Sequence, residues 1–305
     1  VKPTVLLIDT VHPALVNGLA QLGLEPVEAH TWTKDQVIEA LPSATGLVIR
    51  SRIPIDAHFL NHGPQLQFIA RVGAGMENID VVHAEQLGIR CFSAPEGNRH
   101  AVGEHALGQL LMLMNHLHRA DAEVRQGLWR RAENRGTELA GKTLGIIGYG
   151  HMGSAFAEKC RGLGMTILAY DKYKQGYAPA FVQESTLEQL CERADVISLH
   201  LPLTEETRGW AHLDLWKRFQ KSPVLINTSR GAIVPLADLE TALDQGYLRG
   251  ACLDVLEVEP KSFEGLFEQT LPEHMQRLLT RTDVVFSPHI AGWTHESSET
   301  MAQVL

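Results

Sequence analysis

The chain has 305 residues, 44% of them hydrophobic and 21% charged, with a formal net charge of −9. That is length for two domains with sizeable cores and the make-up of an ordinary soluble protein, and the acidic balance argues against a nucleic-acid surface. No apolar run reaches membrane length or has the order of a signal peptide, and the four cysteines (Cys91, Cys160, Cys191, Cys252) form no C-x-x-C pair, which reads as free thiols in a reducing, cytoplasmic setting. An anionic substrate must then be drawn by a local basic cluster, since the whole protein's field repels it. The first residue is Val and the last stretch stops inside a helical pattern, so both ends of the chain are left open.

Short β-branched runs alternate with helical patterns throughout, which predicts an α/β fold with parallel sheets. The first half gives strands near Thr4–Asp9, Pro26–Ala29, Gly46–Ile49, Phe68–Arg71 and Arg90–Phe92. A long helix follows, about Asn98 to Gln126, on the spacing of Val102, Ala106, Leu110, Leu113 and Leu117. It is expected to cross from one domain to another, and Gly127–Gly141, with Trp129, to project behind it as an arm. The second half gives strands near Thr143–Ile147, Thr166–Tyr170, Val196–Leu199, Val224–Asn227, Gly250–Asp254 and Val284–Ser287. Ala291–Leu305 reads as a last helix that returns to the first domain, so that two crossovers form a hinge. The expected division is residues 1–97 with 290–305 as a substrate domain and 98–289 as a dinucleotide-binding domain.

The second half opens on Gly-Ile-Ile-Gly-Tyr-Gly-His-Met-Gly, residues 145–153. A lone G-x-G-x-x-G is weak, but here Gly148, Gly150 and Gly153 lie between a strand and a helix starting at His151, and Asp171 closes the next strand. Gly148 permits the tight turn, Gly150 lets a pyrophosphate approach, and Gly153 lets helix and strand pack closely, with free N–H groups at the helix start facing the phosphates. Asp171 would accept from the ribose hydroxyls and repel a 2′-phosphate, favouring NAD over NADP, with Lys172 softening that preference. No metal site is expected.

Three polar residues follow later strands, where open α/β sheets gather ligands. These are Arg230 in Asn-Thr-Ser-Arg-Gly, Glu259 in Asp-Val-Leu-Glu-Val-Glu-Pro, and His289 in Ser-Pro-His-Ile-Ala-Gly. A guanidinium can hold a 2-keto acid by its carboxylate and carbonyl oxygens. A histidine can protonate the carbonyl oxygen as hydride arrives at carbon, and a carboxylate on its far nitrogen orients it and favours the protonated form. Taken singly, each has a plainer reading: a loop histidine, a solvated acid, a helix cap. Placed together after three strands of a nucleotide-binding half, they read as a triad. The remaining histidines receive no role.

These motifs resemble the D-isomer-specific 2-hydroxyacid dehydrogenases, most closely the D-3-phosphoglycerate dehydrogenase branch in a short form without a regulatory domain. The resemblance covers nearly the whole chain: Arg-Ser-Arg (50–52), Arg-Val-Gly-Ala-Gly-Met-Glu-Asn-Ile-Asp (71–80), Ala-Pro-Glu-Gly-Asn (94–98), the nucleotide turn, His-Leu-Pro-Leu-Thr (200–204) and the three loops above. It implies a flavodoxin-like substrate domain beside an NAD-binding Rossmann domain, and a catalytic triad of Arg230, Glu259 and His289. It implies cofactor contacts at His151, Met152, Asp171, His200, Pro202, Thr228, Ser229, Arg230, Asp254, His289 and Gly292. Backbone amides of Val72, Gly73, Ala74 and Gly75 would hold the substrate carboxylate, and Arg50, Arg52 and Arg71 a phosphate at its far end. It implies a homodimer through the cofactor domain, with a small anionic acid as partner and neither nucleic acid nor membrane.

The substrate expected first is the pair D-3-phosphoglycerate/3-phosphohydroxypyruvate, with glyoxylate or hydroxypyruvate reduction as the alternative. An NADH-sensing corepressor-type binding protein is a reading from another class. Departures from the family pattern are the long stretch 261–283, Trp293 after Ala-Gly, and Met76-Glu77 in the substrate turn.

Overall fold

The computed structural model describes residues 2–260, 266–268 and 270–305. The chain divides into two compact units, one formed by residues up to Arg99 together with Pro260 and Gly292–Leu305, the other by His100–Glu259 and the stretch ending at Ala291.

In the first unit β1 (Thr4–Leu7), α1 (Pro13–Gln21), β2 (Glu25–Glu28), α2 (Lys34–Ala40), β3 (Ala44–Ile49), α3 (Ala57–Leu60), β4 (Phe68–Arg71), α4 (Val81–Gln86) and β5 (Arg90–Ser93) alternate along the chain. The strands form one parallel sheet in the order β2-β1-β3-β4-β5, the flavodoxin-like order. Successive residues of a strand point to opposite faces, so a sheet covered on both sides needs continuous apolar runs. Leu6, Ile8, Leu47, Ile49 and Ile69 pack into one core, and Val5, Leu7, Val48 and Ala70 into the other. Each valine, leucine or isoleucine among these, buried, stabilises the fold by roughly 1.5–3 kcal/mol before the entropy of ordering it is set against that.

The second unit carries α5 (Pro95–Met114), inside which the division falls, then α6 (Leu117–Arg125), β6 (Thr143–Ile147), α7 (His151–Cys160), β7 (Thr166–Tyr170), β8 (Gln183–Glu184), α8 (Leu187–Arg193), β9 (Val196–Leu199), α9 (Leu213–Trp216), β10 (Val224–Asn227), α10 (Leu236–Asp244), β11 (Gly250–Leu253), α11 (Glu273–Leu279) and β12 (Val284–Phe286). Its seven strands are parallel in the order β12-β11-β10-β9-β6-β7-β8, which is the dinucleotide-binding order with one strand added at the far edge. The alternation recurs: Ile147, Ile197, Leu225 and Leu253 enter one core, and Ile146, Val196, Ile226 and Cys252 the other. The last helix, α12 (His295–Val304), begins with a capping box at Thr294 and Ser297 and packs Met301 and Ala302 with Leu15 and Leu19 of α1 in the first unit.

The expected helix from Asn98 to Gln126 is two helices. It breaks at His116, which takes a left-handed φ of 51°, and Leu117, assigned to its buried stripe, is exposed. The short edge strand β8 is absent from the sequence expectation, because two exposed polar residues carry no pattern. Gly127–Gly141 holds turns without helix or strand, and Trp129 there is 78% exposed. Of the long stretch 261–283, residues 261–265 and 269 lie outside the described residues, and α11 fills much of the rest.

Candidate active site

The strand order of the second unit reverses between β6 and β9, and a crevice opens at the carboxyl ends of strands where this happens. There β6 runs into the glycine turn. Gly148 has φ 91°, and a Cβ on it would stand 2.4 Å from the carbonyl oxygen of His200 at the end of β9. A Cβ on Gly153 would stand 2.2 Å from the carbonyl oxygen of Gly148, so the first turn of α7 is pressed against the strand end. Gly150 is the N-cap of α7, supplies no side-chain cap, and would place a Cβ in open space. His151 and Met152 form the first turn of α7.

Asp171 follows β7 and accepts the N–H of Tyr149 on Oδ2 and that of Tyr173 on Oδ1, both at 3.0 Å. It thus ties the glycine turn to the next strand, and each oxygen keeps a lone pair. Lys172 is ion-paired with Glu206, whose other oxygen accepts from the Tyr173 hydroxyl. His200 bonds Ser198 Oγ through Nε2 at 2.8 Å, and burial pushes its imidazole down to about 3. Its Nδ1 is buried without a hydrogen-bond partner, as is Thr228 Oγ1 after β10. Buried polar atoms are rarely left so, and two on neighbouring strand ends call for a ligand or water. Pro202 accepts the Thr207 hydroxyl on its carbonyl at 2.6 Å.

The three loops after β10, β11 and β12 come from adjacent strands. Buried Asn227 folds the first: its Oδ1 accepts from Ser229 N–H (3.1 Å) and Oγ (2.8 Å), and its Nδ2 donates to the Arg230 carbonyl (3.0 Å). The Arg230 guanidinium donates to the Ser229 carbonyl at 2.7 Å. A Cβ on Gly231 would lie 2.0 Å from the Leu256 carbonyl, so this loop rests directly on the one that leads to Glu259. Glu259 Oε2 stands 3.1 Å from His289 Nδ1, both side chains largely sheltered from solvent. His289 takes φ 55°, a left-handed conformation that costs a non-glycine residue roughly 1–3 kcal/mol and has to be held by its surroundings.

Asp254 supplies that hold. It is 1% exposed, its carbonyl accepts His289 N–H at 2.8 Å, and its carboxylate accepts Ile290 N–H (2.9 Å) and Ala291 N–H (2.8 Å). The Ser287 hydroxyl donates to the same carboxylate at 2.5 Å, and Ser287 in turn meets His105 and Gln109 of α5. The sequence reading missed Asn227, Ser287, His105 and Gln109. The available signal was a polar pair four residues apart beside the apolar stripe of α5. His105 is among the histidines to which the sequence reading assigned no role.

In the first unit the sheet order reverses between β1 and β3. Arg50, just past β3, bonds Asp9 Oδ2 through its backbone N–H at 2.6 Å, and its guanidinium lies 4.0 Å from the centroid of the Trp293 ring. Burial pulls the Arg50 guanidinium down from its ordinary range while the Asp9 charge opposes this. Arg52 is a correction. Its guanidinium donates to the carbonyls of Ile8 (2.6 and 3.0 Å), Ala29 (3.1 Å) and Trp32 (2.7 Å), so it fastens three loop ends and is not disposed toward a phosphate. Arg71 lies across Gly73, where a Cβ would fall 1.3 Å from its Nη1.

The expected set of carboxylate-holding amides is also reduced. Val72 N–H goes to Ile49 O (2.8 Å) and Gly73 N–H to Arg71 O (2.9 Å), which leaves Ala74 and Gly75. Gly292 falls in the first unit and accepts the Ser297 hydroxyl on its carbonyl at 2.8 Å.

A dinucleotide-type sheet with a glycine turn at its switch point, and a Glu–His pair on the loops beside it, defines a class of nucleotide-dependent oxidoreductases. The family model for the D-isomer specific 2-hydroxyacid dehydrogenase, NAD binding domain, matches residues 107–291. The D-3-phosphoglycerate dehydrogenase of Mycobacterium tuberculosis (strain ATCC 25618 / H37Rv) is 34% identical over 300 residues, 97% of this chain and 54% of that protein. The hydroxypyruvate reductase of Thermotoga maritima is 34% identical over 264 residues, 87% of this chain and 83% of that protein. Among solved structures, the NADPH-dependent glyoxylate/hydroxypyruvate reductase of Sinorhizobium meliloti, in complex with NADP and malonate, superposes with a TM-score of 0.81 at 26% identity, covering 99% of this chain and 91% of that one. The chain belongs to the D-isomer-specific 2-hydroxyacid dehydrogenase family and carries its NAD-binding domain. It spans about half the length of the mycobacterial D-3-phosphoglycerate dehydrogenases it matches.

Proposed function

We propose that the chain interconverts a D-2-hydroxy acid and its 2-keto acid with NAD, the leading pair being D-3-phosphoglycerate and 3-phosphohydroxypyruvate. The observation that carries this reading is the 3.1 Å contact between Glu259 Oε2 and His289 Nδ1 on neighbouring strand-end loops. With Nδ1–H donated to the carboxylate, Nε2 is the nitrogen that gives and takes a proton. In reduction it delivers that proton to the carbonyl oxygen, and in oxidation it removes the hydroxyl proton. Arg230 is assigned to the carboxylate and carbonyl oxygens of the acid.

The residues present fit NAD. The Gly148–Gly153 turn and the start of α7 suit a pyrophosphate, and the open side of Gly150 gives packing no reason to require glycine there. Asp171 is assigned to the ribose, and His200 Nδ1 and Thr228 Oγ1 are the buried atoms a bound cofactor or its waters would satisfy. Asp254 shapes the loop at the nicotinamide end. When bound, the nicotinamide supplies or accepts the hydride.

A second reading is hydroxypyruvate or glyoxylate reduction without a phosphate, favoured by the commitment of Arg52 to three carbonyls. On either reading the protein is a cytoplasmic homodimer, with Leu117, Val124 and Trp129, all exposed, at the contact. The test is NADH oxidation with 3-phosphohydroxypyruvate, hydroxypyruvate and glyoxylate in parallel. A kcat/KM for the phosphorylated acid higher by about two orders of magnitude, ~2.8 kcal/mol in transition-state terms, supports the leading reading. Equal or better use of the other acids replaces it with the second.

A further inference from the structure

The loop that carries His289 is held from behind by a chain of polar side chains reaching back to α5. His105 and Gln109 lie four residues apart on one helix face, and both Nε2 atoms meet the hydroxyl of Ser287, at 2.8 and 2.9 Å. That hydroxyl lies 2.5 Å from Asp254 Oδ1. A serine hydroxyl has one proton and two lone pairs. The Asp254 carboxylate already accepts two backbone N–H groups and can offer Ser287 only a lone pair, so the hydroxyl proton points to Asp254. The two remaining lone pairs then accept from His105 and Gln109, which requires the His105 proton on Nε2. Proton directions are thus fixed along the whole chain, and every link ends on the backbone that holds His289 in its left-handed conformation.

We propose that His105 is a positioning residue for the reaction: by donating to Ser287 it keeps Asp254 wrapped by residues 287–291, and so keeps His289 on Glu259. This inference rests on the reading of His289 as the proton-transferring group. Without the donor, Ser287 can turn its own proton elsewhere, Asp254 loses one of its three hydrogen bonds, and the strained turn loses the restraint it needs.

Glutamine and asparagine at position 105 separate this role from general structural support. The Gln amide nitrogen reaches the position of imidazole Nε2, whereas Asn reaches only that of Nδ1. With hydroxypyruvate as substrate, H105N and H105A are expected to lower kcat by about 10- to 100-fold, and H105Q to stay within about five-fold of the parent. NADH affinity, from fluorescence titration, should stay within about two-fold in all three. S287A should resemble H105A, and the double variant should be no worse than the weaker single one, since both break the same chain. The inference is overturned if H105Q is as poor as H105N, if H105N keeps kcat within two-fold, or if the two single losses multiply. Should H105A not fold, the Gln–Asn contrast decides alone. H289N is the control: if it retains turnover, the reading of His289 fails, and if it is inactive while the Gln–Asn contrast is missing, only this inference fails.

Discussion

Thirty residues separate Glu259 from His289, and their contact exists only because β11 and β12 lie side by side in the sheet. Individual residue types announced the chemistry, but their partners settle which of them can perform it. Arg52 shows the difference: as one of three arginines at strand ends it was a phosphate candidate, yet its guanidinium makes four hydrogen bonds to the carbonyls of Ile8, Ala29 and Trp32. R52M should therefore destabilise the protein by about 1–2 kcal/mol in urea unfolding. A variant of unchanged stability with a large loss of affinity for a phosphorylated acid would return Arg52 to the substrate site. The same lesson trims the Val72–Gly75 turn to the amides of Ala74 and Gly75, because sequence does not show which N–H groups a sheet has already taken.

At the scale of elements, strands with two buried faces were the most legible. β6, β7, β9 and β10 read as apolar runs flanked by polar residues, and the residue after each is a turn, an acid or a motif. The break between α5 and α6 was not legible, since Asn115-His116 contains neither glycine nor proline and the apolar spacing continues across it. Nor was the link from α5 to Ser287, which spans 182 residues. Cofactor preference also belongs to elements, because the loop after β9 brings Glu206 to the Lys172 that follows β7. That pairing cancels the cation expected to weaken discrimination against a 2′-phosphate. E206Q should raise kcat/KM for NADPH relative to NADH by roughly three- to ten-fold, with Asp171 still favouring NADH. An unchanged ratio would mean that Lys172 does not reach the ribose edge.

For the molecule as a whole, α/β alternation foretold parallel sheets and the family resemblance implied a flavodoxin-like and a Rossmann order, and both orders are found. Global stability carries a mark of one buried site. Burial holds His200 neutral down to about 3, so the unfolded chain takes up its proton first, near the ordinary histidine value. The contribution is complete above that value and is lost as pH falls below it toward 3. Between about pH 7.5 and about pH 5 the parent should lose about 2 kcal/mol more than H200Q. Equal losses would show that His200 titrates normally in the folded protein.

The central claim is that His289, set by Glu259 and Asp254, moves the proton in a 2-keto acid reduction. The measurement that bears on it most directly is steady-state NADH oxidation by H289N beside a titration of NADH affinity. The account predicts a kcat lower by about 10²–10⁴-fold with NADH binding intact. Turnover within a few-fold of the parent would contradict it.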